Sequence, residues 1–260
     1  MIGDNYVLIF GKMISFYSVL GFVGLAAALL LCIKRRKMYG VEKDDIVNLA
    51  AYSIIGIIVG SKLLALICMI PQFIEYWDRI QWNSEFIKAL MQGGFVFYGG
   101  FAGVVLAFYI YCRQFKLSFS SVMELAAPAF PLFHFFGRLG CYTAGCCGGI
   151  GGFPLQLVEA FLNLAIFLVI IYIQDRNCAV KDSGGGKPLF QKTFFLYMLM
   201  YGIARFVLEF FRGDAERGFI GALSVSQWIS IAVTVIAVIS LFRENAKFAK
   251  KNDKNNQSRI

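Results

Sequence analysis

The feature that most constrains this chain is a series of seven long apolar stretches divided by short polar segments. Each stretch approaches or exceeds the ~20 residues that an α-helix needs to cross a bilayer. This pattern predicts an all-α, polytopic membrane protein with about seven transmembrane helices. The stretches lie at 14–33, 46–70, 93–112, 120–141, 155–173, 193–211 and 219–242.

The composition supports this prediction and excludes several other classes of protein. Of the 260 residues, 58% are apolar and 16% are charged, whereas about a quarter of the residues in a soluble domain are charged. A soluble cytosolic enzyme, a disordered regulator and a disulfide-stapled secreted domain are therefore excluded. We expect one integral-membrane domain over residues 1–242 and a basic, polar cytoplasmic tail over 243–260.

The basic residues predict the orientation of the chain. The segments at 34–45, 113–118, 174–192 and 243–260 carry 17 Lys and Arg residues, and the segments on the opposite side carry 5. Because positive charge collects in cytoplasmic loops, we expect the N-terminus outside and the C-terminus in the cytoplasm. The same rule accounts for the formal net charge of +9, so no nucleic-acid partner is expected.

The fourth stretch carries polar residues on one helical face. Glu124, Pro131, His134, Arg138 and Cys141 are separated by 7, 3, 4 and 3 residues, a spacing that places them on one side of a helix. Charged groups are costly inside a bilayer and usually face a cavity or a partner. The alternative is that they form structural ion pairs that only lock helices together.

The sixth stretch carries a second stripe of this kind. Tyr201, Arg205, Glu209 and Arg212 are separated by 4, 4 and 3 residues. In the predicted orientation these arginines and Arg138 lie at a similar depth near the outer leaflet. Guanidinium groups suit phosphate, so the two stripes predict a site for a phospholipid.

Three of the seven cysteines lie in the glycine-rich segment at 137–149. Small residues here favour a tight re-entrant turn, and a disulfide from Cys141 to Cys146 or Cys147 is geometrically possible. Zinc sites normally need four ligands, and the segment offers three thiols without a second histidine. No metal site is therefore predicted, and no cofactor is expected.

The third stretch opens with paired glycines around a single tyrosine, Tyr98. Gly99 and Gly103 have the spacing that most often serves close helix packing. The alternative is that the glycines let a ligand approach the Tyr98 phenol.

Several motifs, in order along nearly the whole chain, resemble those of one family, the prolipoprotein diacylglyceryl transferases. The first is Gly137-Arg138-Leu139-Gly140 with its glycine-rich continuation to Gly149, here in a Cys-rich variant typical of a separate branch. The others are Phe16-Tyr17, Gly60-Ser61-Lys62, Gly93-Gly94-x-x-x-Tyr98-Gly99-Gly100, Tyr201-Gly202-x-x-Arg205-x-x-x-Glu209-Phe210-Phe211-Arg212 and Leu223-Ser224-x-Ser226-Gln227-Trp228.

The resemblance implies a transferase of lipoprotein biosynthesis in the bacterial cytoplasmic (inner) membrane. Members move the diacylglyceryl group of phosphatidylglycerol to the lipobox cysteine thiol of a prolipoprotein, forming a thioether and releasing glycerol phosphate. The expected partners are phosphatidylglycerol, the lipobox peptide and membrane lipids. The active site is expected to open towards the outer leaflet.

The resemblance also implies roles for individual residues. Arg138 is expected to bind the phosphate, and Arg205, oriented by Glu209, to stabilise the leaving group. The base that takes the thiol proton is either His134, the only histidine, or Tyr98, which stands where many members have histidine. His134 has a second interpretation, a bond to backbone freed by Pro131. Further residues of the phosphatidylglycerol site are expected at Tyr17, Gly99, Gly149, Tyr201 and Arg212.

The chain also departs from the family pattern. Cys141 stands where many members have asparagine, and Phe153 replaces the histidine of a His-Pro-x-Gln-Leu-Tyr-Glu run. The loop from Gly149 to Phe153 is short. These departures leave two alternatives, a phospholipid-using transferase with a non-lipoprotein acceptor and a lipid-binding or lipid-transport membrane protein without catalysis.

Overall fold

The computed structural model describes residues 6–9, 12–75, 77–79, 83, 84, 86, 97–182, 192–213 and 219–257. These residues are almost entirely helical, apart from two short antiparallel hairpins. In the first hairpin β1 (Tyr6–Ile9) pairs with β2 (Lys12–Ser15), and in the second β3 (Phe219–Ile220) pairs with β4 (Leu223–Ser224). The helices are α1 Phe16–Arg35, α2 Lys43–Glu75, α3 Phe97–Phe115, α4 Phe119–Ala126, α5 Ala129–Thr143, α6 Leu155–Asp182, α7 Thr193–Leu208 and α8 Val225–Gln257.

Six helical stretches in the described part of the chain are long and apolar enough to cross a membrane. The prediction of an all-α polytopic membrane protein is therefore confirmed. The helix α3 is not one of the six, and residues 93–96 of the predicted third stretch lie outside the described residues. The count of seven and the orientation stay predictions. The six stretches are Phe16–Tyr39, Lys43–Ile70, Phe119–Thr143, Leu155–Val180, Thr193–Phe211 and Val225–Glu244.

The distribution of polarity also fits a lipid environment. Large apolar side chains such as Phe22, Tyr172 and Phe242 are exposed, whereas the polar side chains of Asn163 and Gln174 are buried. Exposed apolar surface on this scale is unusual for a soluble monomer. The interior thus holds polar side chains among its apolar ones, and functional groups belong there.

The chain divides into two compact units. Met1–Tyr39 and Glu124–Ile260 form the first, and Gly40–Met123 forms the second. In the first unit, α1 packs on α5, α5 on α6, α6 on α7 and α7 on α8.

In the second unit, the helices α2 and α3 are held together through glycines. Gly56 and Gly60 of α2 lie against Gly99 and Gly103 of α3, so closely that a Cβ atom at any of the four would clash with backbone of the other helix. Small residues four apart permit this close approach in membranes. The contacts of Gly99 thus support the interpretation that this glycine serves close helix packing.

The fourth predicted stretch contains a break that divides it into α4 and α5. Pro128 stands at the junction and Pro131 in the first turn of α5, where a residue without a backbone N–H is tolerated. His134 and Arg138 both lie in α5, after the break.

The last helix begins later than the sequence predicts. Residues 219–224 form the hairpin of β3 and β4, and α8 begins at Val225. The cause is a reciprocal cap at Ser224 and Gln227. The Gln227 N–H donates to Ser224 Oγ at 3.2 Å, and the Ser224 N–H donates to Gln227 Oε1 at 2.9 Å. At its other end α8 runs to Gln257, beyond the predicted boundary at 242.

Candidate active site

The helix α5 presents His134 and Arg138 on one buried face. Residues four apart lie one above the other on a helix, and the Arg138 Nε–H donates to His134 Nε2 at 3.3 Å. Arginine has no acceptor, so His134 Nε2 receives this bond through its lone pair.

A carboxylate from the next helix joins this pair. Glu159 of α6 has its side chain 3% exposed, and its Oε1 lies 3.0 Å from Arg138 Nη2 and 3.7 Å from His134 Nε2. Its other oxygen, Oε2, lies 3.4 Å from Arg205 Nη1 of α7. One carboxylate thus connects α5, α6 and α7 by bridging two guanidinium groups.

The remaining charges come from the end of α7. Arg205 Nη2 lies 2.7 Å from Glu209 Oε2, and Arg212 Nη1 lies 3.8 Å from the same oxygen. The third donor edge of Arg205 is also engaged, because its Nε–H donates to Ser226 Oγ of α8 at 3.2 Å. The guanidinium of Arg205 is consequently held on three sides.

Among the described residues, three arginines and two glutamates meet in this group, and their side chains are between 2% and 17% exposed. Arginine keeps its charge in proteins, so the two glutamates lie among three fixed positive charges. Guanidinium groups brought together in this way suit an anion with several acceptor oxygens. The charged group comprises Arg138, Glu159, Arg205, Glu209 and Arg212.

Aromatic rings form one wall beside these charges. The ring of Tyr201 lies 5.1 Å from the ring of His134, and it stacks on Tyr197 at 6.0 Å. Tyr197 in turn stacks on Phe130 at 5.7 Å. Tyr201 is buried, and the column fixes its position next to the imidazole.

Tyr17, at the start of α1, lies near the same end of α5. A Cβ atom at Gly140 would come within 3.0 Å of the Tyr17 ring, so the absence of a side chain at this position admits the ring. The phenol is half exposed. Its surroundings include Arg138 and Cys141, which places Tyr17 at the border of the charged group.

The turn after α5 is tied to the end of α7. The Gly213 N–H donates to the Gly148 carbonyl at 3.0 Å, and Gly149 pairs with Arg212 in a β-bridge. A side chain at Gly149 would clash with Phe153. Glycine is therefore required where the turn approaches Arg212.

The turn also brings three thiols together. The Sγ atoms of Cys141, Cys146 and Cys147 all lie within 4.8 Å of one another. The pKa of the Cys147 thiol lies well below its usual range, mainly because Cys141 donates a hydrogen bond to it and also because Arg138 and Arg212 are near. Partial burial of the sulfur, followed by the neighbouring Cys147, raises the pKa of the Cys146 thiol.

Other residues singled out in the sequence lie elsewhere. Tyr98 and Gly99 belong to the second unit, so their roles at the charged group stay predictions. Glu124 has a structural role, because its Oε2 accepts from the Thr193 N–H at 2.8 Å and from the Thr193 hydroxyl at 2.7 Å. Its Oε1 accepts from the Phe194 N–H at 3.3 Å. Glu124 thus caps the N-terminus of α7, where unpaired N–H groups favour a carboxylate.

Three residues for which the sequence predicts no role also contact the site: Glu159, Ser226 and Gln156, whose Nε2 donates to the Cys146 carbonyl at 2.7 Å. A signal for Glu159 was present, because the apolar stretches with Arg138 and Arg205 hold few acids that could neutralise them. Ser226 and the glutamine aligned with Gln156 stand in family motifs of the sequence, but those motifs indicate no contact for them. The two residues reach the site through the packing of α8 and α6, which periodicity does not describe.

The match to known proteins agrees with these features. The family model described as prolipoprotein diacylglyceryl transferase matches residues 6–243, and the chain belongs to this family. Membership makes it a membrane transferase that works in lipoprotein biosynthesis.

Individual relatives cover most of the chain. The phosphatidylglycerol–prolipoprotein diacylglyceryl transferase of Clostridium tetani is 32% identical over 247 residues, which cover 88% of this chain and 93% of that protein. A protein of the same name from Idiomarina loihiensis is 30% identical over 78% of this chain and 77% of its own length. The corresponding enzyme 2 of Clostridium perfringens is 29% identical over 89% and 91%, respectively.

Proposed function

We propose that this protein transfers the diacylglyceryl group of phosphatidylglycerol to the lipobox cysteine thiol of prolipoproteins. The observation that carries the proposal is the group of Arg138, Arg205 and Arg212, which Glu159 and Glu209 hold together in a largely buried position. Guanidinium groups suit the phosphodiester monoanion of this lipid. The names of the relatives point to the same two substrates.

The reaction is a displacement at a glycerol carbon. The thiol sulfur forms the new C–S bond, the bond from that carbon to the phosphate ester oxygen breaks, and its electron pair leaves with glycerol phosphate. Arg138 binds the phosphate, and Arg205 stabilises the charge that develops on the leaving oxygen. Cations that are held in place before the reaction contribute most in a site from which water is excluded. Glu209 and Ser226 hold Arg205 in that position.

The thiol proton goes to His134 or to Tyr98. His134 Nε2 has a lone pair that Arg138 occupies at 3.3 Å. In the proposed reaction the thiol takes the place of Arg138 at this nitrogen. An imidazole is a better base than a phenol at neutral pH, which favours His134.

We further propose a membrane arrangement for the reaction. Seven helices cross the bacterial inner membrane with the N-terminus outside and the C-terminus in the cytoplasm. Residues 1–242 form the transferase domain, and 243–260 form a basic tail on the cytoplasmic side. The site opens towards the outer leaflet, where Tyr17, Gly149, Tyr201 and Arg212 border the lipid, with Gly99 contributed by the third stretch.

The test is transfer by the purified protein in phosphatidylglycerol micelles to a lipobox peptide with one cysteine. We expect the peptide to gain the mass of a diacylglyceryl group, and we expect Arg138→Ala to abolish this gain while the variant still inserts into membranes. The matched control is Arg113→Ala, because Arg113 is an exposed arginine in α3. Arg113→Ala should transfer at the rate of the unaltered protein.

Two results would overturn parts of the proposal. Normal transfer by Arg138→Ala would remove the lipid-site assignment. No transfer by the unaltered protein, under conditions in which a related enzyme modifies the same peptide, would favour a phospholipid-using transferase with another acceptor.

The base is tested by comparing the turnover of His134→Gln with that of Tyr98→Phe. We expect His134→Gln to lower the rate by at least about 100-fold, as loss of a general base does, and Tyr98→Phe to lower it less. If neither variant lowers the rate, the proton goes to solvent or to the lipid phosphate instead.

A further inference from the structure

The three clustered thiols have a geometry that the transfer reaction does not use. Cys141 lies in the last turn of α5, and Cys146 and Cys147 follow in the turn. Their Sγ atoms all lie within 4.8 Å of one another. Thiolates that share one zinc ion at about 2.3 Å are about 4 Å apart. The sulfurs therefore lie within about 1 Å of the separation that one shared ion requires.

The backbone of the turn holds the thiols in this position. Cys147 has φ 59°, and Lys116 is the only other non-glycine residue with positive φ in the described part of the chain. Such a conformation is unfavourable for a residue with a side chain and persists where the surroundings enforce it. Here Gln156 Nε2 donates to the Cys146 carbonyl at 2.7 Å, and the Cys146 N–H donates to the Cys141 carbonyl at 3.2 Å.

The charges around the thiols favour a complex with negative charge. Arg138 Nη1 lies 4.0 Å from Cys141 Sγ, within the range of a weak hydrogen bond to sulfur. Three thiolates around a divalent ion carry one net negative charge, and around a monovalent ion two. A guanidinium that donates to a ligand sulfur stabilises this charge and orients the ligand.

We propose that Cys141, Cys146 and Cys147 form a three-thiolate site for a soft, thiophilic metal ion, Zn²⁺ or Cu⁺. Each thiol releases its proton as its sulfur binds the ion, and no electron is transferred. Thiolate ligands select these ions over Mg²⁺ and Ca²⁺, which prefer oxygen. A solvent molecule completes the tetrahedral coordination of Zn²⁺, whereas Cu⁺ needs only the three sulfurs. Binding does not depend on the proposed transfer reaction.

The experiment titrates the full-length, reduced protein in detergent at fixed pH. One arm uses Zn²⁺ in competition with a chromogenic zinc chelator, and the other uses Cu⁺ in competition with a copper(I) chelator. We expect one equivalent of at least one ion to bind per chain. Cd²⁺ serves as a spectroscopic probe, since sulfur ligation produces a thiolate-to-metal charge-transfer band.

Variants distinguish this site from adventitious binding. Each single change of Cys141, Cys146 or Cys147 to Ser should weaken metal binding by about 100-fold or more. Loss of a group that only hydrogen-bonds to a metal ligand already lowers metal affinity by about 10- to 100-fold, and loss of a ligand should lower it further. Cys146→Ser is the mildest change, since Cys146 is exposed. Cys68→Ser is the matched control, because Cys68 is exposed and lies outside the cluster, and it should bind as tightly as the unaltered protein.

Two outcomes would refute the proposal. One is the absence of a stoichiometric complex with either ion in the reduced protein. The other is unchanged affinity in the triple Ser variant, with helical circular dichroism retained. Because neither measurement involves lipid or peptide, failure of the metal site leaves the transferase proposal intact.

Discussion

Replacing Glu159 by Gln removes the charge that Arg138 and Arg205 share. The carboxylate lies 3.0 Å from Arg138 and 3.4 Å from Arg205, and the three side chains are 3%, 11% and 5% exposed, respectively. At an effective dielectric constant of about 20, each of these pairs attracts by about 5 kcal/mol before desolvation is counted. The two arginines keep their charge when the carboxylate is removed, because arginine does not release its proton in proteins. Breaking a buried pair from one side costs about 3–5 kcal/mol, and we expect the free energy of unfolding to fall by that amount.

The assay is chemical unfolding of purified protein in neutral detergent, followed by tryptophan fluorescence. Glu42→Gln is the matched control, because it makes the same chemical change at an exposed position, and its stability should stay within about 0.5 kcal/mol of the unaltered protein. A loss below about 1 kcal/mol in Glu159→Gln would refute the conclusion that this carboxylate holds the arginines together.

The same variant also tests the position of the lipid phosphate. If the phosphate is bound between Arg138 and Arg205, an anionic lipid should compensate for the missing carboxylate. Added phosphatidylglycerol should therefore stabilise Glu159→Gln more than it stabilises the unaltered protein, and neutral phosphatidylcholine should not. Equal stabilisation of both proteins by phosphatidylglycerol would place the phosphate elsewhere.

Two further predictions concern the packing of α2 on α3 and the N-terminal cap of α7. Gly60→Leu should reduce the free energy of unfolding by about 1–3 kcal/mol or more, because its side chain meets the backbone of α3, whereas Gly21→Leu should not, since nothing lies within 4 Å of a Cβ at Gly21. Equal losses in the two variants would contradict the glycine packing. Glu124→Gln should weaken the cap of α7 by about 0.5–2 kcal/mol and speed hydrogen exchange at the Thr193 and Phe194 amides, and unchanged exchange there would show that the carboxylate is not the cap.

The parts of the site that lie on one helix could be predicted from the sequence. A spacing of four residues places His134 and Arg138 together whatever the rest of the chain does, and the same holds for Arg205 and Glu209. Both pairs are in contact or adjacent in the structure. The helices themselves were predictable because lipid imposes apolar stretches of a length that soluble proteins rarely contain.

The parts that join helices could not be predicted in this way. Glu159 connects α5 with α7 only because α6 packs between them. The spacing of residues within one helix does not determine the angle at which helices pack. The predicted start of the last helix, at residue 219, was wrong for another reason. The apolar residues at 219–223 suggested helix, but the Ser224–Gln227 cap begins the helix after them.

The arrangement of charge gives a physical reason for combining three arginines with two glutamates in the proposed phosphate site. Three unpaired guanidinium groups in a largely buried position would repel one another, with little screening by water. Glu159 and Glu209 reduce that repulsion and fix the guanidinium planes, while Ser226 engages the remaining edge of Arg205. The arginines are thereby held in place before an anion binds. The proposed site is therefore predicted to prefer anionic phosphodiesters over neutral or zwitterionic lipids.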